Sequence, residues 1–328
     1  MRARVFVTQP IAESALERLR SVADVEVNPD NSCILSKDRL CDAVRKHDIV
    51  FALLHDTIDS DVLTANPKLK AVASMSASGD RIDVAVATAH KIPVTVIPAI
   101  AVSEATADLH FGLILAVARR IVEGDRLIRA GSFPGAQSNR LAGAWVWGKV
   151  LGLVGGKGRI GQAVARRARG FGMRILYCGP RRMPAIDEDR FGMAFVPLDQ
   201  LLVESDFVSL HPALSPETRH MIGERELLLM KRTAFLVNSA RGPIVDEKAL
   251  VRALAEKRIA GAGLDVFENE PMVEPALLKM TNVVLTPHLG SAVMEVRETL
   301  AHIVVDNIMA LLEGQRPPNC INPEVYAV

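Results

Sequence analysis

Aromatic residues are scarce: Phe, Trp and Tyr make up 4% of the 328 residues. That leaves too few rings for a stacking platform along a single-stranded nucleic acid. Charge of one sign is not in excess either. Lys and Arg number 39 against 38 Asp and Glu, a formal net charge of +1, which excludes a nucleic-acid binder resting on a broad basic surface. Cysteine is sparse. Cys33, Cys41, Cys178 and Cys320 are scattered, with no CxxC and no histidine at metal-ligand spacing, so reduced thiols are expected rather than a disulfide framework or a metal site. No apolar run is expected to reach the roughly 18 residues of a membrane span. The opening MRARVFVTQP lacks a secretory apolar core, so the expected location is the cytoplasm, with no membrane partner.

What is present describes an ordinary globular chain. Hydrophobic residues make up 49% and charged residues 23%, the ordinary soluble range, and the length favours two domains over one core. In the first hundred residues VFVTQP (5–10), VEVNP (25–29), DIVFALLH (48–55), LKAVASMS (69–76) and PVTVIP (93–98) read as strands. Between them ALERLRSV, KDRLCDAVRKH and DVAVATAHK carry helical spacing. This βαβ alternation predicts an α/β fold with a parallel sheet. A long helix is predicted from Ser103, as its N-cap, to about Ala130, stopped by Gly131. After a Gly/Ser/Asn-rich connection over 131–149, a second series begins: VLGLVGG, MRILYC, FVSLHP, TAFLVNS, AGAGLDVF and NVVLTPH. A last helix is predicted over 292–312.

The phrase KVLGLVGGKGRIGQAVARRARGFGM carries the most information. Gly156, Gly158 and Gly161 form G-x-G-x-x-G directly after an apolar strand and directly before an amphipathic helix. The three glycines serve the tight turn, the close approach of backbone to a pyrophosphate, and close helix–strand packing. A helix starting near Arg159 aims free N–H groups and a positive dipole end at the phosphates. Gly156, Gly158, Arg159, Ile160 and Gly161 are therefore the candidate contacts. Lys157, at a position usually apolar, is either solvated or adds charge near the pyrophosphate.

An acidic residue about 20 positions on would accept from the ribose 2′-hydroxyl of NAD. Here the second strand ends in YCGPRRMP, with Gly179 lying 18 residues after Gly161. Glycine leaves room for a 2′-phosphate, and Arg181 and Arg182 can supply charge-assisted hydrogen bonds to it. NADP(H) is the expected cofactor and NAD(H) the alternative; two incidental arginines on a solvated loop is the bland reading.

Three polar residues fall at strand ends, the edge where open α/β sheets bind ligands. Arg241 closes TAFLVNSAR, Glu270 closes GLDVFENE, and His288 ends VVLTPH. An arginine holds a carboxylate bidentately, and a histidine passes a proton to a developing alkoxide. A carboxylate beside it orients the ring and favours its protonated form. Singly, each has a dull alternative: a solvated turn arginine, a capping or core histidine. Together they fit hydride transfer to a 2-oxo acid.

The phrases GKGRIGQAVARRARGFGM, HPALSPETRHMIG, NSARGPIVDEKAL, AGAGLDVFENEP and LTPHLGSA resemble the D-isomer-specific 2-hydroxyacid dehydrogenases over nearly the whole chain. The resemblance implies a Rossmann-type doubly wound nucleotide domain (101–289) inserted into a flavodoxin-like substrate domain (1–100 and 290–328). It implies Arg241 as the substrate anchor, His288 as the acid/base, Glu270 as its partner and Asp265 at the nicotinamide carboxamide. It also puts Thr106, His211, Ser239 and Ala240 along the cofactor, and the backbone of Ala77, Ser78 and Gly79 at the substrate carboxylate. There the sequence departs: related loops carry a glycine two places before Asp80, where this chain has Ser78. Members are commonly homodimers paired through the nucleotide domain.

Within the family the endings TPHLGSA and LKAVASMS are most similar to glyoxylate/hydroxypyruvate reductases. Phosphite ranks lower because residues 76–79 contain no lysine, and 3-phosphoglycerate because no long regulatory module follows in this sequence. A nucleotide-sensing corepressor-like module and a methyltransferase are the rivals from other classes. The complete Arg241, Glu270 and His288 set weighs against the first, and the second βαβ series against the second.

Overall fold

The computed structural model describes residues 2–327. Two compact units divide the chain, residues 1–102 with 291–328, and residues 103–290.

The first unit is built on a five-stranded parallel sheet: β1 (Arg4–Val7), β2 (Asp24–Val27), β3 (Ile49–Ala52), β4 (Ala71–Ser74) and β5 (Val94–Thr95). Their order is β2-β1-β3-β4-β5, the flavodoxin-like order. Every residue of β3 and β4 is buried, because helices cover both faces of a parallel sheet. One face packs against α1 (Glu13–Val22) and α12 (Met294–Leu312) through Leu16, Leu19, Val304 and Ile308. The other packs against α2 (Lys37–Val44), α3 (Ser60–Thr64) and α4 (Val84–Ala89) through Val44, Leu63 and Ala87. The predicted strands of this unit are all present. The five-residue α3 escaped sequence reading; Asp59 caps it, accepting from the amides of Asp61 (3.1 Å) and Val62 (3.2 Å).

The second unit contains a seven-stranded parallel sheet: β6 (Val150–Val154), β7 (Arg174–Cys178), β8 (Met193–Phe195), β9 (Phe207–Leu210), β10 (Phe235–Asn238), β11 (Gly261–Leu264) and β12 (Val283–Leu285). Its order, β12-β11-β10-β9-β6-β7-β8, reverses direction between β6 and β9, which is the Rossmann arrangement and its switch point. β8, three residues long, is the strand the sequence did not announce.

The long helix predicted over 103–130 is corrected in two ways. It is two helices, α5 (Ile100–Ala118) and α6 (Ile121–Arg129). Arg120 between them is left-handed, with φ 55°, and its guanidinium grips both oxygens of Glu123 at 2.9 and 2.7 Å to start α6. Ser103 is not the N-cap, since α5 begins three residues earlier, in a turn where the Ala101 amide donates to the Pro98 carbonyl at 3.0 Å. The expectation about long apolar runs also changes. Among the described residues, Ile100–Ala118 is long and apolar enough to cross a membrane by length and composition, with mean hydropathy 1.5. Ala107, Phe111, Ile114, Val117 and Ala118 on this helix are instead buried in the core of the second unit. The four cysteines are free thiols.

Candidate active site

The glycine turn joins β6 to α7 (Arg159–Gly170). Sequence reasoning missed Gly155, the residue that makes the turn: its φ is +78°, and an added Cβ would lie 2.7 Å from the Pro212 backbone nitrogen. The doubled glycine was the available signal. Gly156 packs on the sheet so closely that a Cβ would meet Tyr177 Cβ at 2.7 Å, and Gly161 abuts the Cα of Gly156 at the same distance. Gly158 is the extended N-cap of α7 and offers no side chain to cap it, so the first amides of the helix are left to a ligand or solvent. Lys157 reaches across the turn, Nζ to the Arg182 carbonyl at 3.5 Å.

The loop after β7 separates the two arginines. Arg182 puts its guanidinium fork on Glu188, Nε to Oε1 at 2.8 Å and Nη2 to Oε2 at 2.7 Å. Glu188 also accepts from the Tyr177 hydroxyl at 2.6 Å, and that hydroxyl accepts from the Met183 amide at 2.8 Å. The guanidinium and the phenol hold the Glu188 carboxyl down to about 2. Tyr177, Arg182 and Glu188 thus lock the loop. Arg181 makes no ion pair among the described residues, and a Cβ on Gly179 would meet nothing within 4 Å.

The three strand-end residues all belong to the second unit. His288 Nδ1 donates to Glu270 Oε2 at 3.0 Å, and Glu270 Oε1 accepts from the Phe267 amide at 3.1 Å. The histidine backbone is left-handed, φ 55°, and its amide is held by the carbonyls of Asp265 (2.9 Å) and Thr286 (3.0 Å). Asp265 is fully buried and organises the same turn, accepting from Thr286 Oγ1 (2.7 Å) and from the amides of Leu289 (2.7 Å) and Gly290 (2.9 Å). Burial pushes its carboxyl upward despite these donors. Arg241 follows β10, its Nη1 on the Ala240 carbonyl at 2.8 Å. Gly242 behind it is obligatory, because a Cβ would fall 1.9 Å from the Phe267 carbonyl carbon. That contact brings the arginine strand end against the segment that leads to Glu270. Thr106 lies beside Gly290, whose added Cβ would be 3.2 Å from the threonine hydroxyl.

Ala77, Ser78 and Gly79 follow β4 in the other unit. Ser78 donates from its hydroxyl to Asp80 at 2.6 Å. Gly79 is not among the positive-φ glycines, nor Ser78 among the positive-φ residues, so the shifted glycine does not call for a left-handed turn. A Cβ on Gly79 would press on the tip of Ile321 at 2.7 Å.

His211 follows β9, and beside it lies His110, which sequence reasoning missed. His110 is fully buried on α5, with Nδ1 2.7 Å from Ser239 Oγ and Nε2 2.5 Å from Ser209 Oγ. Burial and the neighbouring His211 push His110 well below the usual histidine range, and burial pushes His211 down to about 3. Both bind fewer protons folded than unfolded between their lowered values and 6.5, so stability is full above pH 6.5 and is lost as pH falls. The loss begins below pH 6.5 and continues toward each lowered value. The guanidinium midpoint of the full chain should fall over that range, and fall less in His110→Gln.

A dinucleotide-type turn, a loop open beside an arginine and a His–Glu pair at a strand edge define a nicotinamide-dependent oxidoreductase. The family model described as "D-isomer specific 2-hydroxyacid dehydrogenase, NAD binding domain" matches residues 111–290. A glyoxylate reductase of Korarchaeum cryptofilum is 48% identical over 100% of this chain and 98% of its own. One from Thermococcus litoralis is 44% identical, covering 99% and 98%. The crystal structure of an NADPH-dependent glyoxylate/hydroxypyruvate reductase from Sinorhizobium meliloti, in complex with NADP and malonate, superposes with a TM-score of 0.80. It is 31% identical and covers 98% of this chain and 97% of its own. The chain belongs to the D-isomer-specific 2-hydroxyacid dehydrogenase family and is an NAD(P)-dependent oxidoreductase of 2-oxo acids.

Proposed function

We propose that the chain reduces a small 2-oxo acid of the glyoxylate or hydroxypyruvate kind to the D-2-hydroxy acid, with NADPH preferred. The observation that carries this reading is the His288–Glu270 hydrogen bond of 3.0 Å at a strand end of the nucleotide-binding unit. The names of the two archaeal relatives and of the bacterial structure support the substrate class. The glycine turn fits a dinucleotide: Gly156 and Gly161 tolerate no Cβ, and the N-terminus of α7 is uncapped by any side chain.

When bound, the dinucleotide supplies a hydride to the carbonyl carbon. Glu270 fixes the imidazole through Nδ1, so His288 Nε2 is the atom that delivers the proton to the carbonyl oxygen. Arg241 holds the carboxylate and polarises the carbonyl, with backbone amides of Ala77, Ser78 and Gly79 as further donors to the carboxylate. Gly156, Gly158, Arg159, Ile160 and Gly161 hold the pyrophosphate; Thr106, His211, Ser239, Ala240 and Asp265 line the nicotinamide half. Exposed Phe133, Trp145 and Trp147 (73, 70 and 61% accessible) on the connection before β6 support a homodimer paired through this unit.

A panel of 2-oxo acids assayed with NADPH and NADH tests the substrate reading. Glyoxylate and hydroxypyruvate are expected to give the highest kcat/KM. Preference for a larger or phosphorylated 2-oxo acid, or turnover of phosphite, would overturn it.

A further inference from the structure

His110 has no part in the reaction as described, yet both its ring nitrogens are engaged. The interactions form one line: Ser239 Oγ to His110 Nδ1 at 2.7 Å, His110 Nε2 to Ser209 Oγ at 2.5 Å, and Ser209 Oγ to His211 Nε2 at 2.7 Å. The two rings lie 4.6 Å apart, tilted by 51°. His110 and Ser209 are fully buried, Ser239 is buried with 7% accessibility, and His211 is half-buried. The line therefore runs through the core of the nucleotide unit from buried Ser239 to half-buried His211.

Counting protons gives it a direction. A neutral imidazole has one N–H and one bare nitrogen, and a serine hydroxyl has a single proton. Ser209 faces two ring nitrogens, and its single proton can serve only one of them. In the first arrangement Ser239 donates inward to His110 Nδ1, His110 Nε2–H donates to Ser209, and Ser209 donates to His211 Nε2. His211 is then left with a donor at Nδ1. In the second arrangement every bond reverses. Ser239 becomes free to donate outward, and His211 Nδ1 becomes an acceptor. Mixed arrangements either set two lone pairs against each other or, where both rings donate to Ser209, leave its buried hydroxyl proton outside the line, and both are costly.

We infer that His110 and Ser209 are positioning residues that couple the Ser239 hydroxyl to the His211 imidazole, so the two present either acceptor and donor, or donor and acceptor, to a bound dinucleotide. The inference rests on the reading of Ser239 and His211 as cofactor contacts. It adds that they recognise the cofactor as one unit rather than as two independent groups, because a hydrogen bond made at one end fixes the polarity of the other.

A double-mutant cycle on NADPH binding tests it, with Kd read from the fluorescence of the bound reduced nicotinamide. Ser239→Ala and His211→Ala should each weaken binding. Together they should weaken it at least about 3-fold less than the product of the single factors, the coupling of residues sharing one network. In a Ser209→Ala background the two factors should multiply, and Ser209→Thr, which restores a hydroxyl, should restore the shortfall. His110→Gln keeps a polar atom near Ser209 but drops the link to Ser239; it gives the same readout if Ser209→Ala does not fold. Factors that multiply in the otherwise native chain, or a shortfall that survives Ser209→Ala or His110→Gln, would overturn the coupling alone. Single variants that leave Kd unchanged would remove Ser239 and His211 from the cofactor site, and the coupling with them.

Discussion

His288→Asn is expected to lower kcat for a 2-oxo acid by about 10²- to 10⁴-fold, the usual worth of a positioned general acid. NADPH affinity should stay within a few-fold, since the imidazole is bonded to Glu270 and not to the glycine turn. The separation of kcat from Kd matters because His288 is also a structural residue: its left-handed backbone and its amide tie the β12 end to Asp265. Asparagine tolerates that conformation better than most residues, so it removes the proton donor while sparing the turn. Glu270→Gln should retain a hydrogen-bonding group toward Nδ1 but remove the negative charge beside the ring, giving a smaller fall in kcat. Equal kcat in His288→Asn and the native enzyme would end the assignment of His288.

The strands were readable for a simple reason. A parallel strand covered on both faces appears as a short continuous apolar run, and VFV, IVFA, AVAS, VLGLV and FVSL are such runs. The strand-end trio followed from them, since Arg241, Glu270 and His288 are located by where runs stop. What stayed hidden depended on backbone angle or on distant partners. The apolar pattern of α5 continues through Arg119 and Arg120 into α6, so only the left-handed Arg120 marks the break. His110 reads as one more polar residue of α5, after Ser103, Glu104, Thr106 and Asp108; its partners, Ser209 and Ser239, are 99 and 129 residues away. Gly242 reads as an ordinary turn glycine until the backbone of Phe267 is found against it. Asp265, by contrast, was singled out for a ligand contact, yet each carboxylate oxygen already accepts from the 286–290 turn. Any amide it takes from a nicotinamide must share those oxygens.

The two arginines after Gly179 were indistinguishable as letters, and their surroundings now separate them. Arg182 spends its fork on Glu188, within a set that includes Tyr177 and the Met183 amide. It is the residue that shapes the loop. Arg181, one position earlier, makes no ion pair among the described residues, and the proposed NADPH preference gives it the 2′-phosphate. Arg181→Ala is therefore expected to lower kcat/KM with NADPH by about 10- to 100-fold, the worth of charge-assisted hydrogen bonds to a phosphate, and to leave NADH use nearly unchanged. Arg182→Ala should disturb both cofactors to a similar and smaller extent, because what it loses is the loop's shape. Gly179→Asp goes further: its side chain enters open space, where a carboxylate accepts from a ribose 2′-hydroxyl and repels a 2′-phosphate. Combined with Arg181→Ala it should reverse the preference to NADH. Steady-state kinetics with both cofactors at saturating 2-oxo acid decide the matter. A native enzyme that uses NADH as well as NADPH would refute the preference, and equal losses with both cofactors in Arg181→Ala would return Arg181 to the solvated loop.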